Sequence, residues 1–178
     1  MAEAASSQAE AARSAYIHIP FCQQRCFYCD FPIKVVGSSP QDGRARDTIE
    51  EYLESLLEEI RRGGGGGFDV EVAAAPLRTV YLGGGTPSLL RPEQVRAVLD
   101  AVRARFGIAA AAEVTMEMDP GTFSAADAAG FRAAGVTRVS LGAQSFDDAQ
   151  LAACGRGHSA AQVGEAAALL RVARWGAR

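Results

Sequence analysis

Three of the chain's four cysteines fall within eight positions, Cys22, Cys26 and Cys29, in the stretch "YIHIPFCQQRCFYCDF". Thiolates at this spacing, C-x3-C-x2-C, are ligands for a soft metal. Structural zinc calls for four ligands in tetrahedral geometry, usually built from paired C-x2-C knuckles. Three residues could supply a fourth: His18, His158 and Cys154. His18 falls within a β-rich run, and Cys154 falls where a small apolar residue would face a helix core. The alternative is a 4Fe–4S cube, normally held by one thiolate per iron. Three thiolates leave one iron with an open coordination position, and an open position is where a metal does chemistry. The spacing favours the cube over zinc.

Other polar groups suited to a cofactor are spread along the chain. "GGGTP" offers Gly84, Gly85 and Thr86, whose backbone N–H groups a ligand can approach closely where no side chain intervenes. Glu117 can accept hydrogen bonds from hydroxyl or ammonium groups, whereas Glu113 reads as surface or strand-end charge. Gln144 carries an amide just after Gly142, and Arg156 could hold a carboxylate.

The pattern of elements explains how such distant residues could meet. A β-rich run over 15–19 precedes the cysteines. "DTIEEYLESLLEEIRR" (47–62) sets Ile49, Tyr52, Leu53, Leu56, Leu57 and Ile60 on one helical stripe, with Asp47 as its expected cap. The glycine run 63–67 reads as a flexible connection. Strands are predicted over 77–82, 112–118 and 136–141. Helices are predicted over 92–106, from Ser124 to near Gly135, and from the last strand to the end of the chain. Strands alternating with helices imply a parallel sheet with right-handed crossovers, an α/β fold. Each polar motif follows a strand, and ligands of parallel sheets sit at the C-terminal strand ends. Four motifs therefore converge on one rim.

Bulk properties agree. The chain has 178 residues, is 48% hydrophobic and carries a net charge of −3, which gives no reason to expect nucleic acid or an anionic membrane as partner. No apolar stretch approaches the roughly 20 residues needed to span a bilayer. Clustered thiols without a secretory signal point to a reduced compartment. Residues 1–14 read as a disordered, Ala-rich leader. With Glu3, Glu10 and a single arginine, the N-terminus makes a poor organellar presequence. The expected location is cytoplasmic, or a mitochondrion or plastid if a presequence is missing.

Taken together, "YIHIPFCxxxCxYCDF", "YLGGGTPSLL", "EVTMEMDPGT", "VSLGAQSFDDAQL" and "GRGHS" resemble the oxygen-independent coproporphyrinogen III oxidase-like radical S-adenosylmethionine (SAM) proteins. The matches run in order from Tyr16 to about Ser159. The resemblance implies a partial (β/α) barrel, of which this chain holds about four βα units in 15–178, the N-terminal part of a radical SAM core. It implies that Cys22, Cys26 and Cys29 bind a 4Fe–4S cluster, and that Tyr16, Tyr28, Gly84, Gly85, Thr86, Glu117, Gln144 and Arg156 contact SAM. In the family an electron from the reduced cluster splits SAM into methionine and a deoxyadenosyl radical, so a one-electron reductant is an implied partner.

Within the family, oxidases that decarboxylate coproporphyrinogen III carry a further cysteine two places after the triplet. This chain has Asp30 and Phe31 there, and "CDF" with "GRGHS" resembles the HemW-like heme chaperones. That branch implies heme and heme-receiving proteins as partners, no catalytic residue, and an open question of enzymatic activity. The alternatives are a coproporphyrinogen III oxidase and an inactive fragment. Because the family barrel has six βα units, an uncovered sheet edge with apolar faces is expected here.

Overall fold

The computed structural model describes residues 13–63, 75–173 and 175. Residues 1–12 of the expected leader and most of the glycine run, 64–67, lie outside the described residues. Ser14, assigned to the leader, instead belongs to the first strand. The elements are β1 (Ser14–Ile19), β2 (Phe21–Cys22), β3 (Lys34–Val35), α1 (Gly43–Arg62), β4 (Leu77–Gly84), α2 (Pro92–Phe106), β5 (Ile108–Met118), α3 (Ala125–Ala134), β6 (Arg138–Leu141), α4 (Asp148–Ala153) and α5 (Ala160–Val172).

Four strands form one sheet in the order β1-β4-β5-β6, all parallel. It is the α/β arrangement of a partial barrel, with successive strands as neighbours. The register pairs Ile17 with Leu82, Leu82 with Met116 and Met116 with Val139. Residues Ile17, Ile19, Val80, Leu82, Val114, Met116 and Met118 are buried with Val95, Val98, Leu99 and Phe131 of the helices in one core. Because side chains alternate across a strand, the intervening residues line the opposite face. That face carries Tyr16, His18, Tyr81, Thr115, Glu117, Arg138 and Ser140. Among the described residues β6 is left as an unpaired sheet edge, as expected, but the sheet face opposite the helical core is aromatic and polar and not apolar.

Helix ends follow local chemistry. Ser124 caps α3 by accepting from Asp127 N–H, and left-handed Gly135 (φ 113°) closes it. Pro92 opens α2, and Gly107 follows its last residue. The first helix departs from expectation. It starts at Gly43, with Asp42 as its flanking residue and no side-chain cap, and Asp47 lies inside it, paired with Arg46 at the surface. The intervening "RAR" consists of good helix formers, so the helix extends back beyond the aspartate. Of the expected stripe, Ile49, Leu53, Leu56 and Ile60 are buried, and Tyr52 and Leu57 pack on the core's margin. The predicted final helix is divided into α4 and α5 by "CGRGHS", a break that sets Arg156 and His158 in a loop.

Candidate functional site

The cysteine segment is closed at its base by the short parallel pair β2–β3, in which Phe21 pairs with Lys34 and Cys22 with Val35. Lys34 N–H donates to Pro20 O (2.7 Å) and Val36 N–H to Cys22 O (2.9 Å). The excursion between them is held from the far end of the chain. Phe27 N–H donates to Cys154 O (3.0 Å), and Gln24 Nε2 donates to Gly155 O (2.7 Å). Cys154 therefore departs from the sequence expectation. It flanks the C-terminus of α4, half-buried, and serves the site through its carbonyl.

An open pocket of about 490 Å³ lies at the C-terminal ends of the strands, and Cys22, Cys26 and Cys29 all line it. So do Tyr28, Gly84, Gly85, Thr86, Glu117, Gln144 and Arg156. Tyr16 does not. It stands 56% exposed at the outer edge, stacked on Tyr81 with ring centroids 5.9 Å apart. Tyr81 in turn donates its hydroxyl to Glu117 Oε1 (2.7 Å), and the Tyr16 hydroxyl lies 3.4 Å from His18 Nδ1, so Tyr16 reaches the pocket through neighbouring rings. Its link to the parallel-sheet edge follows from register, since Tyr16 pairs directly with Tyr81.

The glycines have a reason that the sequence did not reveal. A Cβ on Gly85 would lie 2.6 Å from Phe21 O and 2.9 Å from Ile19 O, both backbone atoms. Gly84 adopts φ +114°, and a Cβ there would meet the His18 ring at 2.5 Å. Gly85 is glycine because the chain's own backbone crosses there, and Gly84 because of its left-handed φ and the His18 ring against it, whatever binds in the pocket. The crossing is tied by Gly85 N–H to Ile19 O (2.8 Å) and Thr86 N–H to Phe21 O (2.7 Å). It fixes Thr86 beside Cys22. Glu117, expected to receive a ligand, already accepts from Tyr81 and from Gly84 N–H (3.1 Å), leaving its remaining lone pairs toward the pocket.

Arg156 is the most constrained charge in the site. Its side chain is 8% exposed and donates to Asp119 Oδ1 (2.5 Å), Gly142 O (3.1 Å) and Cys26 Sγ (3.3 Å). Burial opposes its charge, but Asp119 and Cys26 outweigh burial and push its pKa up. At Cys22, burial raises the thiol's pKa, and the Thr86 hydroxyl 3.6 Å away acts against it. Burial also raises the Tyr28 phenol, with Arg156 opposing.

Asp119 and His158 are the residues that sequence reasoning missed as parts of the site. Asp119 stood within the quoted "EMDPGT", so its place after a strand was the available signal. His158, a candidate fourth metal ligand by residue type, is instead buried with Nε2 3.1 Å from Ala143 O. Arg156 and His158 thereby hold two successive carbonyls, those of Gly142 and Ala143. The next residue is Gln144, left-handed at φ 60°, the one non-glycine with positive φ among the described residues. Such strain persists where the surroundings over-determine it. Glu113 lies in β5 with Arg138 3.7 Å away at the surface, as its reading as strand charge requires.

Among the described residues, no three of His, Cys, Asp or Glu are gathered closely enough to hold one metal ion. In a cube each thiolate has its own iron, so no common centre is needed.

The sequence pattern of the Radical SAM superfamily matches residues 16–176, and this chain belongs to that superfamily. Among characterised proteins, it is 46% identical over 155 residues to the heme chaperone HemW of Synechocystis, covering 86% of this chain and 35% of that protein. It is 41% identical to HemW of Escherichia coli over 88% of this chain and 38% of that one. It is 39% identical to the mouse mitochondrial radical S-adenosyl methionine domain-containing protein 1, over 89% and 32% respectively. The structure also resembles the coproporphyrinogen III oxidase HemN of E. coli, a radical SAM enzyme, with a TM-score of 0.73 and 26% identity over 89% of this chain and 34% of that one. The chain thus spans about a third of the length of the relatives it matches.

Membership implies an iron–sulfur cluster and SAM, and the residues present fit both. All four cysteines are free, and three of them face one pocket. Two hydrogen-bond donors, Thr86 and Arg156, address the sulfurs of Cys22 and Cys26. The buried Nε of Arg156 has no partner, a donor available to an anionic group. No helix among the described residues is long and apolar enough to cross a membrane.

Proposed function

We propose that this chain is the cluster- and SAM-binding part of a HemW-like heme chaperone. The observation that carries the reading is the pocket in which three free thiols meet Thr86, Glu117, Gln144 and the buried Arg156. Cys22, Cys26 and Cys29 would hold the cluster. The turn 84–86, with Glu117, Gln144, Tyr28 and Arg156, would hold SAM, and Tyr16 would act from the edge through Tyr81. A cluster held there would supply one electron, received from an external reductant, to SAM. The residues' own work is electrostatic. Arg156, kept charged by Asp119, offers a cation to a carboxylate, and Glu117 offers an anion to an ammonium group.

The chaperone reading rests on Asp30 and Phe31 after the triplet and on the relatives named HemW. Heme and a heme-receiving protein are then the partners, and the location is a cytoplasm or an organelle. The likeness to HemN favours a second reading, oxidation of coproporphyrinogen III. Anaerobic reconstitution of the full chain with iron and sulfide, followed by heme titration, tests the first. Incubation with coproporphyrinogen III, SAM and a reductant tests the second. Stoichiometric heme binding without porphyrinogen turnover supports the chaperone, and turnover overthrows it. Replacing Cys22, Cys26 or Cys29 by Ser is expected to abolish the cluster's visible absorbance, and a chain that never takes up iron refutes both readings.

A further inference from the structure

Asp119 lies between two pieces of the thiol site without touching a sulfur. Its Oδ1 accepts from Arg156 Nη2 (2.5 Å), and its Oδ2 faces the Thr86 hydroxyl (3.4 Å). Arg156 points onward to a cysteine, its Nη1 3.3 Å from Cys26 Sγ; Thr86 Oγ1 is 3.6 Å from Cys22 Sγ, but its single O–H proton serves either that sulfur or Asp119 and not both. A guanidinium is a rigid planar fork, so fixing one Nη fixes where the other points. Asp119 is itself fixed. Its N–H donates to Ser88 Oγ (3.2 Å), and its carbonyl accepts from the Thr122 hydroxyl (2.7 Å). The neighbouring strand end leaves room for it. A Cβ on Gly142 would come within 2.4 Å of Asp119 Oδ1, although Gly142 has no positive φ to require glycine.

We infer that Asp119 is a positioning residue for the cluster site, aiming Arg156 at Cys26, an inference that rests on the cluster reading above. Hydrogen bonds to ligating sulfurs help set a cluster's potential and its retention. Without Asp119, the buried guanidinium loses its counter-charge and its aim together. The role is indirect, since Asp119 has no sulfur contact of its own.

The test uses the reconstituted full chain and two readouts: the rate of iron loss to a chelator, and the cluster's midpoint potential by EPR-monitored titration. Asp119→Asn keeps the shape and removes the charge. Gly142→Ala keeps every charge and crowds the carboxylate away from Arg156. Arg156→Lys keeps the charge of the pair and removes only the fork, a third arm should either of the others unfold. Each is expected to lose iron about tenfold faster, the scale of second-shell effects on metal sites. Gly142→Ala should also lower the potential, because the reduced, more negative cluster loses a donor. Glu113→Gln, which breaks an exposed carboxylate–arginine pair elsewhere on the sheet, should change neither readout. Variants that fold and match the parent within twofold in iron loss, with an unmoved potential, overturn the role of Asp119. A parent chain that takes up no cluster instead overturns the cluster reading.

Discussion

Replacing Gly85 by Ala tests whether the glycine turn is set by the chain's own crossing. The added Cβ would lie 2.6 Å from Phe21 O, 2.9 Å from Ile19 O and 2.9 Å from Phe21 N, none of which is a flexible side-chain end. The backbone must part. The hydrogen bonds from Gly85 N–H to Ile19 O and from Thr86 N–H to Phe21 O lie across this contact. Losing them costs about 1 kcal/mol each. Crowding around the fully buried Ile19 and Phe21 adds about 1–3 kcal/mol. The stiffer unfolded chain returns up to about 1 kcal/mol. The expected net loss is about 2–5 kcal/mol, a large share of the 5–15 kcal/mol that is typical of a domain. Gly164→Ala is the matched comparison: Gly164 lies exposed in α5, with nothing within 4 Å of its Cβ position. There alanine should stabilise by about 1 kcal/mol through helix propensity. Urea unfolding followed by circular dichroism measures both. A Gly85→Ala loss below about 1 kcal/mol, well under the steric estimate, would show that the crossing relaxes freely. The glycine would then have to be explained by the ligand instead.

Other outcomes follow from the same geometry. His158→Ala removes the group on Ala143 O and should cost about 0.5–1.5 kcal/mol for the hydrogen bond lost at this half-buried carbonyl. SAM affinity, by equilibrium dialysis on the reconstituted chain, should fall several-fold as the Gln144 turn loosens, and an unchanged affinity would separate the clamp from the site. Burial, reinforced by Glu59 and Tyr16, raises the pKa of Tyr52 above the ordinary phenol value, so the folded chain prefers the neutral ring. That stability is present in full below about pH 10, where unfolded tyrosine ionises, and is lost as pH rises through the folded value. Tyr52→Phe should flatten this alkaline loss while costing about 1 kcal/mol at neutral pH, since the hydroxyl donates to His18 O. An alkaline unfolding curve identical in the variant would refute the assignment.

The alternation of strands and helices and the apolar stripe of α1 could be read without coordinates, because burial imposes periods of 2.0 and 3.6 on the residues themselves. The start of α1 could not. Asp47 has the chemistry of a cap, but whether the helix stops there depends on the residues before it and on what they pack against. The division between α4 and α5 was hidden for a similar reason: "CGRGHS" leaves the helix because Arg156 and His158 reach back to the β6 turn.

The sequence by itself determined which polar groups gather at the strand ends. Three thiols at C-x3-C-x2-C, the glycine turn, Glu117, Gln144 and Arg156 are a matter of residue type and of position after a strand, and they all meet at one pocket except Tyr16. Only the tertiary structure decided how those groups are held. Asp119 meets Arg156 across 37 positions and Phe27 meets Cys154 across 127, contacts with no local signature. Tyr16 falls outside the pocket because strand register sets it over Tyr81 instead of over the rim. Residue type dictates what a side chain can bind, but register and crossings, set by the whole sheet, dictate where it can reach.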